Sequence, residues 1–209
     1  MFIDYVFYPF FVHFFSYWSI CSIFYVIDYF RLDSTHENWK RYKLAATVSL
    51  KNQFCIGFPT LYLLSGNIQN AVELSSNDGV LFTIWKLFLI VNASNLLFYW
   101  SHRALHIPFI FKNIHYRHHE FIEPIGAAAL YAHPVEHLIS NTLSFLLPFM
   151  FIGTNYSMML VLLGTSSAIT VFSHTKSFNI FNDHLIHHQL YKYNYGFGSY
   201  LDKLFGTYK

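Results

Sequence analysis

Long apolar stretches alternate with short polar ones along this chain of 209 residues, and their spacing predicts a set of membrane helices. Residues 5 to 27 carry no Asp, Glu, Lys or Arg, and at about 1.5 Å per residue a helix of that length crosses roughly 30 Å of hydrocarbon. Pro9 is expected to kink or start it. Residues 31 to 43 are polar, with Arg31, Lys40, Arg41 and Lys43 set against Asp33 and Glu37, and the positive-inside bias places them on the cytoplasmic side. A second span is expected over 44 to 64, where Lys51, Asn52 and Gln53 must face protein rather than lipid. Residues 66 to 79 hold Glu73 and Asp78 without Lys or Arg, as an external loop would, and 80 to 100 recross with Lys86 as the one formal charge. Residues 138 to 172 are apolar but break at Gly153-Thr-Asn155. Each arm is short for a full crossing, so a hairpin that returns to its own side is expected. That topology puts 101 to 137 and 173 to 209 together on the cytoplasmic side. The predicted fold class is all-α and integral to the membrane, with about four transmembrane or re-entrant helices.

Composition agrees with lipid contact. The chain is 54% hydrophobic, 21% aromatic and 11% charged, where a soluble domain carries about 25% charge. A formal net charge of +2 gives no basis for a nucleic-acid partner. Cys21 and Cys55 fall in apolar stretches and read as packing residues rather than metal ligands or a disulfide framework. The N-terminal apolar stretch lacks the basic leader and cleavage site of a secretory signal, and Gly206-Thr-Tyr-Lys209 offers no retrieval signal. Asn92-Ala-Ser94 and Asn155-Tyr-Ser157 fit the glycosylation pattern but sit in or beside apolar spans, so they read as chance matches. His13, alone in the first span, reads as a hydrogen-bonded core residue.

The chemistry lies in the other histidines. Residues 100 to 119 pack five of them into twenty positions. On a helix His102 and His106 share a face, and so do His115, His118 and His119. A third cluster, His184, His187 and His188, repeats the His-x-x-His-His spacing, of which chance predicts only on the order of 0.05 copies per chain. Imidazole suits Zn, Fe, Cu and Ni, and the lack of thiolates argues against iron–sulfur clusters and zinc fingers. Eight histidines are too many for one ion, so two metal ions sharing a cage are expected. His174 and His133 are further candidate ligands, whereas His137 reads as structural. Glu120, Glu136 and Asp202 are expected to orient imidazoles rather than to ligate, with a helix cap as the other role open to Asp202. A redox metal at the membrane surface points to dioxygen activation and oxidation of a lipid C–H bond. A zinc-loaded membrane hydrolase and a metal-binding membrane protein without catalysis remain as alternative classes.

These residues resemble the fatty acid hydroxylase/sterol desaturase superfamily of membrane di-iron oxygenases. Phe98-Tyr-Trp-Ser-His102-Arg-Ala-Leu-His106 looks like its first histidine box, His115-Tyr-Arg-His118-His119-Glu120 its second and His184-Leu-Ile-His187-His188 its third, and Asn194-Tyr-Gly … Leu201-Asp-Lys-Leu-Phe-Gly-Thr207 is similar to its closing element. Glu123 to Glu136 resembles the C-4 methylsterol oxidase branch, while Tyr193-Asn-Tyr-Gly leans toward sterol C-5 desaturases; a fatty acid hydroxylase is the other alternative within the superfamily. The resemblance implies four membrane helices beneath a cytosolic helical cap, with N-terminal membrane helices over 1–94 and a catalytic domain over 95–209 that includes the hairpin at 138–172. It also implies two iron ions on the eight box histidines, with His174 and His133 completing the shell. Electrons would come from NAD(P)H through a separate reductase and cytochrome b5. The substrate would be a sterol or fatty-acyl lipid, and the location the endoplasmic reticulum with the site on its cytosolic side. The chain departs from the family pattern at Asn95, at Tyr200-Leu201 and at Phe178, where some branches carry another histidine.

Overall fold

The first helix forms where the charge-free aromatic run begins. Helix α1 (Asp4–Arg31) passes through Pro9 without ending, so Pro9 lies inside it rather than at its start. The computed structural model describes residues 3–31, 36–176 and 182–209. Among these every regular element is helical: α2 (His36–Asn52), α3 (Phe58–Leu74), α4 (Val80–Leu105), α5 (Pro108–Asn113), α6 (Pro134–Glu136), α7 (Ser144–Ile152), α8 (Tyr156–Phe172), α9 (Asn182–Leu190) and α10 (Ser199–Leu204). Two π-helical turns, Gln53–Gly57 and His137–Leu143, join α2 to α3 and α6 to α7, and they pack against each other.

Three helices among the described residues are long and apolar enough to cross a membrane: Asp4–Phe30, Val80–Leu105 and Pro134–Ile152. Phe7, Phe11 and Phe15 on α1 and Leu81, Trp85 and Phe88 on α4 are exposed. In water they would be a liability, and in lipid they face their solvent. The stretch 44–64 is helical but falls across α2, the first π turn and α3, and it is not one of the three. The first arm of the expected hairpin is longer than its apolar run, because α6 and the second π turn continue into α7. The break at Gly153 has a steric cause. Its φ is +69°, and a Cβ there would lie 2.5 Å from the Ala71 carbonyl oxygen, so only glycine fits. Asn155 then caps α8, its side-chain oxygen accepting from Met158 N–H at 3.0 Å.

The two arms pack on different neighbours: α8 lies along α1, and α7 lies against α3 and α4. Phe10, Leu61, Ile68, Ile90, Phe149 and Met159 fill the space between. Lys86, the one formal charge over residues 80 to 100, is neutralised by Asp78 at 2.7 Å. His13 is hydrogen-bonded inside the bundle, Nδ1 2.8 Å from Ser167 Oγ and Nε2 3.1 Å from Gln53 Nε2. Both cysteines are free thiols, Cys21 buried and Cys55 exposed.

One irregular segment is buried as deeply as the helices. Residues 126–132 are all shielded from solvent, and their backbone groups need partners that water cannot supply. Side chains of α1 and α2 supply them. The Tyr17 and Ser49 hydroxyls donate to the Ala127 carbonyl at 3.0 and 2.9 Å, and Asn52 donates to the Leu130 and Ala132 carbonyls at 2.9 and 3.0 Å. The polar interruption at Lys51-Asn52-Gln53 is thus half explained: Asn52 and Gln53 are buried on protein, while Lys51 is exposed. This segment holds Tyr131 in place for the site.

Candidate metal centre

Four pieces of chain bring the histidines together. His102 lies in the last turn of α4 and His106 is its C-cap, with Pro108 preventing continuation of the helix. His115, His118 and His119 lie on a 3₁₀ turn, His115–Glu120, rather than the α-helix that would have put all three on one face. His174 follows the end of α8, and His184, His187 and His188 lie on α9.

The nine imidazoles form two groups. His102, His106, His115, His119 and His187 make one, and His118, His174, His184 and His188 the other; within each, the ring nitrogens lie within 4.8 Å of one another. Both His-x-x-His-His motifs are therefore divided. Positions i and i+4 stay together, while i+3 turns to the other group, as in His115/His119 against His118 and in His184/His188 against His187. On α9, steps of about 100° per residue put i+3 and i+4 on opposite sides of position i; the 3₁₀ turn, where i and i+3 would be expected to eclipse, divides its three rings between the same two groups.

His133 joins neither group. Its Nδ1 accepts from Val135 N–H at 3.2 Å, which makes it the N-cap of α6. His137 is buried on the π turn, outside both groups. Phe178 lies outside the described residues.

Hydrogen bonding fixes which nitrogens face inward. His118 Nδ1 is 3.0 Å from the Tyr131 carbonyl, His174 Nδ1 2.9 Å from the Thr170 carbonyl, His102 Nδ1 2.7 Å from the Tyr195 carbonyl and His187 Nδ1 2.6 Å from the Tyr193 carbonyl. A carbonyl oxygen only accepts, so each Nδ1 carries the proton and each Nε2 is a bare lone pair. Yet the Nε2 atoms of His118 and His174 lie 3.3 Å apart. Two lone pairs at that distance repel unless a cation lies between them, so the donor set fits bound metal ions.

Protonation does not relieve the repulsion. Burial away from water pushes His118 down to about 4. Burial first, and neighbouring imidazoles second, push His106 down to about 2 and hold His115, His119, His184 and His188 well below the ordinary histidine value. All are neutral at neutral pH, the form in which imidazole binds a metal.

The carboxylates expected to orient the imidazoles act at different removes. Glu136 Oε1 lies 2.9 Å from His115 Nδ1, so it touches the cage directly. Glu120 accepts from the Tyr131 hydroxyl, one residue behind His118. Asp202 is further back still: it accepts from Tyr195 N–H at 2.8 Å and Gly196 N–H at 2.9 Å and so aims the Tyr195 carbonyl at His102. Asn194, at φ +58°, ties the same segment to the Thr207 and Lys209 backbone. The closing element that resembled a family signature is thus a clasp for two cage histidines. The four carbonyls themselves have no side-chain signature in the sequence.

The sequence model of the family described as fatty acid hydroxylase matches residues 87–207. Human "Fatty acid hydroxylase domain-containing protein 2" is 36% identical over 126 residues, 58% of this chain and 38% of that protein. The chain thus matches well under half the length of that relative. Two Dictyostelium discoideum proteins, each named "Putative methylsterol monooxygenase", are 32% identical over 197 residues (85% of this chain, 72% of the relative) and 31% identical over 208 residues (90% and 75%). No solved structure matches.

Proposed function

The chain belongs to the fatty acid hydroxylase family, and from that premise we propose that it is an O2-dependent oxidoreductase of membrane lipids that holds two iron ions among its nine histidines and acts on a methylsterol. The observation that carries the metal is the facing pair of bare Nε2 atoms on His118 and His174; in the other group the bare Nε2 atoms of His102 and His187 lie 3.1 and 3.2 Å from the Nε2 atoms of His115 and His106. Nitrogen donors in this number suit iron, and iron with open coordination positions supplies dioxygen reduction and oxidation of an unactivated C–H bond.

The protein's own part is positional. Backbone carbonyls hold four imidazoles in one tautomer, Glu136 stands 2.9 Å from a fifth, and burial keeps them neutral. The cage begins at the last turn of α4, where an apolar membrane-length helix ends, so a lipid can present its polar end while its apolar body stays among the helices. Arg103, Lys112 and Arg117 beside the cage support a cytosolic placement, and with it the endoplasmic reticulum. Electrons are assigned to a separate NAD(P)H-dependent reductase and cytochrome b5. A methylsterol is favoured because the relatives that bear that name align along most of both chains.

The test is expression of wild type and His118→Ala in a sterol-producing host under 18O2, with mass spectrometry of sterols and acyl lipids. Label at a sterol C-4 methyl, present with wild type and absent with the variant, is expected. Label on an acyl chain instead would replace the substrate class. Identical lipids from both proteins would remove the enzymatic reading.

A further inference from the structure

The nine imidazoles are not backed equally. His102, His118, His174 and His187 donate to neutral carbonyls, and Nδ1 of His115, of His119 and of His188 is buried without a hydrogen-bond partner, the His115 Nδ1 lying 2.9 Å from Glu136 Oε1 as a charge contact. Among the described residues of the cage, only His115 faces a carboxylate. Glu136 is 4% exposed, and its second oxygen has no hydrogen-bond partner. Its placement is built in locally. His133 caps the short helix that carries it, and Pro134 starts that helix with a preset φ. The same strap takes His118 of the other group through the Tyr131 carbonyl. Residues 131 to 136 therefore back one histidine of each group, with a carboxylate behind one and a neutral dipole behind the other.

We propose that Glu136 is a positioning residue that makes the two metal positions unequal, so that the five-histidine position is the tighter of the pair and fills first. This rests on the two-metal reading given above. A carboxylate on Nδ1 raises the basicity of the imidazole at Nε2 and fixes its orientation. A carboxylate buried without a counter-charge is costly, and a divalent ion across the ring supplies that charge. The position held by His118, His174, His184 and His188 has no acidic oxygen against its imidazoles among the described residues, so it gains nothing comparable.

The experiment is an anaerobic titration of the metal-free full chain, in detergent, with Co2+ followed by its visible absorption. Wild type should fill in two steps, and His174→Ala should weaken the second alone, which assigns the steps. Glu136→Gln removes the charge but none of the nine donors. It should weaken the first step about 10- to 100-fold and leave the second unchanged. Glu136→Asp, which keeps a carboxylate, should recover part of that loss. Glu120→Gln, which reaches the cage only through the Tyr131 hydroxyl, should alter neither step. An unchanged first step in Glu136→Gln, or equal weakening of both steps, overturns the proposal and leaves the two-metal reading standing. Should Glu136→Gln not fold, Glu136→Asp decides by the same criterion: selective weakening of the first step supports the proposal, and equal or no weakening overturns it. Fewer than two Co2+ bound by wild type would overturn the two-metal reading and the proposal together.

Discussion

Replacing Asp202 with alanine removes three hydrogen bonds at once, from Tyr195 N–H at 2.8 Å, Gly196 N–H at 2.9 Å and the Thr207 hydroxyl at 2.8 Å. The residue is 1% exposed, so bulk water does not replace the lost acceptor. Thr207 keeps the Tyr99 hydroxyl as a partner, whereas the two backbone amides are left with none. Each buried donor without an acceptor costs about 1–3 kcal/mol, giving about 2–6 kcal/mol for the pair, against a typical total near 5–15 kcal/mol. The loss has a direction as well as a size. Freed of Asp202, the Tyr195 carbonyl no longer aims at His102, and the neighbouring Tyr193 carbonyl slackens its hold on His187. Both belong to the five-histidine group, so metal should leave that group before the helices unfold. The assay is metal content per chain and thermal midpoint of wild type and Asp202→Ala in one detergent. A midpoint about 5–20 °C lower, with the five-histidine group depleted first, is expected. Asp202→Asn, which keeps one acceptor oxygen, should fall between. Full metal content and an unchanged midpoint in Asp202→Ala would refute the clasp.

His133→Ala should leave metal content unchanged and cost about 1 kcal/mol as a lost helix cap; loss of an ion would return His133 to the ligand set. Gly153→Ala should destabilise by more than the about 1 kcal/mol of an ordinary strained position, because the new Cβ meets the Ala71 carbonyl at 2.5 Å; an unchanged midpoint would contradict that. Acid should weaken the metal-free protein. His118 is held at about 4 against an ordinary 6.5, so between those values the unfolded chain takes up a proton that the folded cage refuses, and stability falls as pH drops through that window. A chelator-treated sample whose thermal midpoint rises from pH 7 to pH 5 would contradict this.

The residue types of the cage were legible in the sequence, and its division was not. His-x-x-His-His repeated twice is rare enough to point to metal chemistry, but which of the two groups each ring joins depends on how the 3₁₀ turn at His115 and helix α9 face each other. His174 carries no box spacing, and only the end of α8 brings it to His118 and His184. Conversely, His133 sits in a suggestive Tyr-Ala-His-Pro context, and a local capping bond claims it. The membrane helices were legible where charge was absent over a long run, as in α1 and α4. They were less so at 44 to 64 and 138 to 152, because π turns alter the register and extend or divide a helix without a hydropathy signal. Backbone carbonyls as orienting groups leave no trace in residue identity, although Asn194, Asp202 and Thr207, which aim two of them, do.

The most direct test of the central claim is the number and identity of metal ions per chain, by elemental analysis of protein purified from membranes without added metal. Two iron ions per chain are predicted, one for each histidine group, with His174→Ala depleting one group and His187→Ala the other. A folded wild-type protein carrying a single ion or none, or one that keeps both ions in His174→Ala and His187→Ala, would contradict it.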